Sequence, residues 1–127
     1  MTQWKAAALA VLVAGSAPAI AQSGWAQVGN SVAEAGAGTT SMTPTLDPRY
    51  RQVMFCVEGH LIRLNGATIH FEGGTQQTLQ VRERVTAGGC SRMFSLNSRR
   101  TIQRVEVAYD PATLAGNNAH VQLYARP

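Results

Sequence analysis

Lysine is almost missing from this chain. Of 127 residues only Lys5 is one, and the remaining fixed cations are ten arginines. There are two cysteines and no C-x-x-C spacing, which removes the usual signature of a redox-active dithiol. No apolar run approaches the roughly 20 residues that cross a bilayer as a helix. There is no internal repeat, no heptad and no convincing helical periodicity. No glycine-rich phosphate loop sits between a strand and a helix, and no serine occupies a G-x-S-x-G setting. These absences take away the common sequence signatures of nucleotide-binding and serine-hydrolase chemistry.

What is present begins with a leader. Lys5 is followed by an unbroken apolar stretch, Ala6 to Ala14, and then by Gly15, Ser16 and Pro18. Ala19-Ile20-Ala21 offers the small-x-small pattern that signal peptidase requires. A charged start, a short apolar core and a small-residue exit predict a signal peptide over residues 1–21, cut after Ala21, with Ala17-Pro18-Ala19 as the alternative site. The expected destination is the periplasm or the medium. Removing the leader removes the only lysine and leaves ten arginines against seven carboxylates, a net charge of +3. The mature chain would have the size of one small domain. In an oxidising compartment Cys56 and Cys90 are most simply a disulfide. Closing a loop of that length stabilises the fold by about 3–4 kcal/mol in the chain-entropy model.

Residues 22–48 read as a loose lead-in rather than core. The segment is rich in Ala, Gly, Ser and Thr, with Pro44 and Pro48, and one short strand is expected at 25–29. From residue 49 onward the pattern becomes β. Arg51, Val53, Phe55 and Val57 alternate with Gln52, Met54, Cys56 and Glu58. Two apolar runs, 60–64 and 67–72, flank Asn65-Gly66, which predicts a tight type I′ hairpin. Its register would set Ile62 against Ile69 and Leu64 against Ala67, with His60 and His70 on opposite faces. Further alternation predicts strands over 77–85, 92–96, 101–109 and 119–126, with a single helical turn within 111–118. About seven short strands split by turn residues imply an antiparallel two-sheet β-sandwich over 49–127.

The order and spacing of these strands carry a resemblance. Leu64-Asn-Gly-Ala-Thr-Ile-His-Phe71 is followed by Gln77-Thr-Leu79, the Ala87-Gly-Gly89 break, Ser91-Arg92, and Arg100-Thr-Ile-Gln-Arg-Val105 before a strand ending in Tyr109. Over roughly residues 50–126 this resembles the YaaI-like family of small exported bacterial proteins, domain-of-unknown-function family 2541. The resemblance implies an exported β-sandwich and supplies no catalytic residues. The Cys56–Cys90 pairing rests on the compartment argument alone.

Candidate chemistry is sparse. A zinc site needs three or four converging ligands. His60, His70 and His120 do not supply them in the expected register, so no metal and no cofactor is expected. Glu58 with Glu72, or Glu83 with Glu106, are the available carboxylate pairs, and each also fits a strand surface paired to arginine. The uneven feature is charge. Between residues 82 and 104 there are six arginines and a single carboxylate, Glu83. Arg82, Arg84, Arg99, Arg100 and Arg104 are expected to form a basic stripe if their strands are neighbours. Such a stripe suits an anionic or glycan polymer of the envelope, or another envelope protein. Specific nucleic-acid binding is not expected, because stacking aromatics are missing beside the cations. The leading expectation is therefore a non-enzymatic exported binding module. The alternatives are a small hydrolase with an unrecognised site and a purely structural protein.

Overall fold

A computed structural model describes residues 24–45, 50–98 and 100–127. The expected leader, both expected cleavage sites, Pro48 and Arg99 lie outside the described residues.

Two antiparallel sheets pack face to face. The four-stranded sheet has the order β1-β9-β3-β7, from Ala26–Ala33, Ala119–Arg126, Gln52–Glu58 and Phe94–Ser95. The five-stranded sheet runs β2-β8-β4, from Thr39–Met42, Ile102–Asp110 and Ile62–Phe71. Two further strands, β5 (Gln76–Leu79) and β6 (Glu83–Val85), both pair with the far edge of β4. The expected all-β sandwich is what the chain forms. Period-two alternation turns Val53, Phe55 and Val57 of β3 and Val121 and Leu123 of β9 inward. They meet Leu64, Ile69, Val105 and Val107 of the other sheet. Burying a side chain such as Phe55 is worth about 2–3 kcal/mol. A 3-10 turn, Pro111–Leu114, drops Leu114 into this core and is capped by the Asp110 carboxylate, which accepts from Ala112 N–H.

The stretch expected to lie loose ahead of the sandwich instead supplies a strand to each sheet. β1 runs well past the short strand expected at 25–29, and β2 follows it. Short, low-hydrophobicity strands form here because partners are provided. β1 lies along β9, β2 along β8, and the Tyr109 hydroxyl donates to the Glu34 carbonyl at 2.7 Å, pinning the turn between them. Ahead of β1, Trp25 covers the outer side of the four-stranded sheet with Met54, Cys56 and Tyr124. The Arg126 guanidinium lies 4.6 Å above the centre of its ring system.

The expected hairpin at Asn65-Gly66 is not formed. β4 runs straight through both residues, and its two halves pair with the single strand β8. Leu64 faces Tyr109 and Gly66 faces Ala108, so Asn65 is one residue too many: a β-bulge. The apolar residues at 62 and 64 and those at 67, 69 and 71 are out of phase by one. Either a two-residue reversal or a one-residue insertion restores their inward direction. The long ladder along β8 selects the insertion, and neither Asn65 nor Gly66 takes a positive φ.

The single strand expected over 77–85 is also divided. β5 ends at Leu79 opposite Ala67, and β6 resumes at Glu83 opposite Leu64. The intervening residues kink beside the β4 bulge, and Arg82 adopts φ 39° there. Arg92 braces the kink. Its guanidinium donates to the Gln80 carbonyl at 2.6 Å and the Val81 carbonyl at 3.3 Å, and it pairs with the Glu83 carboxylate at 3.2 Å.

Cys56 and Cys90 are joined as a disulfide, Cys56 on β3 and Cys90 on the segment that pairs beside it. Ser91, next to the bridge, is buried. Its hydroxyl accepts from Phe55 N–H and donates to the Arg92 carbonyl, leaving it no proton to give as a nucleophile without breaking the core edge.

Candidate binding face

The outer face of the five-stranded sheet is built in four rows, read across the strands. The first holds Arg104, His70 and Gln76; the second Ser41, Glu106, Thr68 and Thr78; the third Thr39, Ala108 and Gly66; the fourth Asp110, Arg63 and Arg84. Successive outward rows are two residues apart, so the first and last lie about 20 Å from one another.

The two middle rows form a depression of about 300 Å³, with Asn65 on its wall. Its floor is low because Gly66 has no side chain and Ala108 opposite has only a methyl group. Its lining is mostly apolar, with the hydroxyls of Thr39, Thr68 and Thr78, the Asn65 amide and the Glu106 carboxylate around it. Hydroxyl and amide groups donate and accept hydrogen bonds without a strong preference for charge. The arrangement is an open ledge suited to a hydroxyl-rich ligand lying along it.

At the first row, His70 Nε2 lies 2.8 Å from Glu106 Oε1, and Arg104 is 3.8 Å from the same oxygen. Arg104 also approaches His70 Nε2 at 3.3 Å. The shorter contact assigns the proton: Nε2 donates to the carboxylate, so Arg104 acts on the pair through its charge. The hydrogen bond from His70 pulls the Glu106 pKa below its ordinary value, partial desolvation opposes this, and the charge of Arg104 assists it. Glu106 is thus an ionised acceptor at neutral pH.

Among the described residues the expected arginine stripe does not form one patch. Arg104 and Arg84 project from the same face but from opposite ends of β4. Arg82 is exposed at the kink, where its left-handed backbone breaks the alternation that would have set it beside Arg84. Arg100 lies over Gly73 in the turn between β4 and β5, beyond the Arg104 end. Arg92, counted among the six, is committed to the brace. Glu83 and Glu106 are not paired acids either: Glu83 is held by Arg92 and Glu106 by His70. Arg63, which the sequence did not single out, stands directly opposite Arg84. Nothing in a single strand's pattern could have marked it, because its significance lies in its cross-strand neighbour. Among the described residues, no three His, Cys, Asp or Glu side chains gather as a metal-binding group. Also among the described residues, no helix is long and apolar enough to cross a membrane.

Solved structures include a likeness to this fold. The chain superposes on part of AlgX from Pseudomonas aeruginosa with a TM-score of 0.55 at 12% identity, covering 80% of this chain and 27% of AlgX. The chain therefore spans about a quarter of that protein, and the likeness is one of fold. A family 29 carbohydrate-binding module from Piromyces equi gives a TM-score of 0.47 at 14% identity, covering 83% of this chain and 82% of the module. No curated protein matches the sequence. The family model described as a domain of unknown function, DUF2541, matches residues 6–125, and the chain belongs to that family.

Proposed function

We propose that this protein is an exported, non-enzymatic module that holds an anionic glycan of the envelope along the outer face of its five-stranded sheet. The observation that carries this reading is the ledge over Gly66 and Ala108, a mostly apolar floor edged by hydroxyl, amide and carboxylate groups and flanked at both ends by guanidinium groups. Sugar hydroxyls match the walls, and acidic substituents match the arginines, which bind carboxylate and phosphate bidentately. Export is supported by the leader pattern and by the Cys56–Cys90 disulfide. Binding is favoured over catalysis because the depression is shallow and open, the Ser91 hydroxyl is consumed by the fold, and Glu106 is held ionised rather than as an acid.

The test is affinity electrophoresis of the mature domain through gels containing purified acidic or neutral envelope polysaccharides, at low and high salt. Retardation by the acidic polymer that weakens as salt rises supports the reading. No retardation by either polymer overturns it. Depolymerisation of the glycan would overturn its non-enzymatic half.

A further inference from the structure

The fourth row of the binding face sets Arg63 directly opposite Arg84 across β4 and β6. Both side chains are exposed. At directly paired positions the Cβ atoms are about 4.5–5.5 Å apart, and like charges there repel. An anion held between the two groups would relieve that repulsion. Of the nearest protein carboxylates, Asp110 offsets part of the Arg63 charge, and Glu83 is paired with Arg92. Asp110, opposite Arg63 on β8, accepts from Ala112 N–H at 3.0 Å as the cap of the 3-10 turn. Glu83, beside Arg84 on β6, is held by the guanidinium and backbone N–H of Arg92. Among the described residues neither Arg63 nor Arg84 forms an ion pair. Their backbones are nonetheless fixed. Arg63 N–H donates to Thr113 Oγ1 at 3.1 Å, and the Arg92 brace anchors the start of β6.

We propose that Arg63 and Arg84 form a two-guanidinium site for a phosphate-type oxyanion, carried as a phosphorylated sugar of the bound glycan. This names the anionic group of the face described above and rests on that reading. The choice of phosphate follows from donor count and charge. A carboxylate has two oxygens, which one guanidinium fork fills. A phosphate monoester offers three terminal oxygens and a charge of about −1.5 to −2 at neutral pH, enough to engage two forks and offset their repulsion.

The experiment is an NMR titration of the arginine Nε–Hε signals in the mature domain with a hexose phosphate, the corresponding hexuronate and the unmodified hexose. The expected result is a saturable shift of Arg63 and Arg84 with the hexose phosphate, and binding of the hexuronate at least about tenfold weaker. Arg63→Gln and Arg84→Gln should each weaken hexose phosphate binding by about tenfold or more, the loss of one charge-assisted fork. Arg51→Gln, at an exposed arginine outside the face, should leave it unchanged. Affinity should rise between pH 5 and pH 7.5 as the ester loses its second proton near pH 6. Equal binding of hexuronate and hexose phosphate, no saturable shift, or wild-type affinity in Arg84→Gln overturns the site. If the polymer is retained but the hexose phosphate is not bound, the phosphate site alone fails. If the hexose phosphate binds at this pair but no polymer is retained, the reading of the face fails instead.

Discussion

Gly66 and Ala108 face one another across β4 and β8, and together they leave the sheet without a side chain longer than a methyl group at the centre of its outer face. The low point exists because the β4 bulge delivers a glycine to that position. Filling it should abolish the ledge without touching the core.

Ala108→Tyr is the direct way to fill it. Ala108 projects outward and is only half-buried, so the substitution should alter stability by no more than about 1 kcal/mol. Polysaccharide retention should be lost, while the Arg63–Arg84 pair, one row away, still binds a hexose phosphate. Retention equal to wild type in affinity electrophoresis would place the glycan elsewhere.

Gly66→Ala distinguishes the bulge from a hairpin. Gly66 has no positive φ, and a Cβ added there would meet the Leu79 carbonyl oxygen at 3.4 Å, close to ordinary contact. Urea unfolding should show a change within about 1 kcal/mol, neutral or slightly stabilising. A type I′ turn would make the same substitution cost more than that.

Separating Cys56 from Cys90 should be expensive. The two are 34 residues apart, and opening a loop of that size removes about 3–4 kcal/mol in the chain-entropy model. The Cys56→Ser, Cys90→Ser double variant should therefore unfold at a markedly lower urea midpoint than the oxidised protein. Reduced wild type should behave like the double variant.

Glu106 gives a pH signature. Its pKa is lowered in the folded state, first by the hydrogen bond from His70. A depressed carboxylate contributes stability above its unfolded value, and that contribution is lost as the pH falls through the folded value. In a carboxyl NMR titration the Glu106 midpoint should lie below 4.5, and His70→Ala should move it upward. Glu106→Gln should correspondingly flatten the acid limb of the melting-temperature profile. An unmoved midpoint in His70→Ala would mean that the pair does not form in solution.

Much of the fold was legible along single strands. Core-facing apolar residues recur every second position, so β3, β8 and β9 could be read from Val53, Val105 and Val121 and their neighbours, although β3 is buried on both faces where Trp25 covers it; the short helical turn could be read from Asp110-Pro111. The weakly apolar β1 and β2 were not legible, because their stability comes from ladders supplied by β9 and β8. The site was less legible still. Arg82, Arg84, Arg100 and Arg104 looked contiguous because they are near in sequence, yet the register separates Arg84 from Arg104 by the length of β4.

By itself, then, the sequence determined the class of fold and its inward faces, because hydrophobic periodicity is a local property of each strand. It also determined that nearly every cation is a guanidinium and that Cys56 and Cys90 were available to pair. Tertiary structure alone decided whether Asn65-Gly66 reversed the chain or bulged it, since both solve the same phase shift and only the partner strand chooses. That choice laid β4 out straight, put the ledge over Gly66, and set Arg63 beside Arg84.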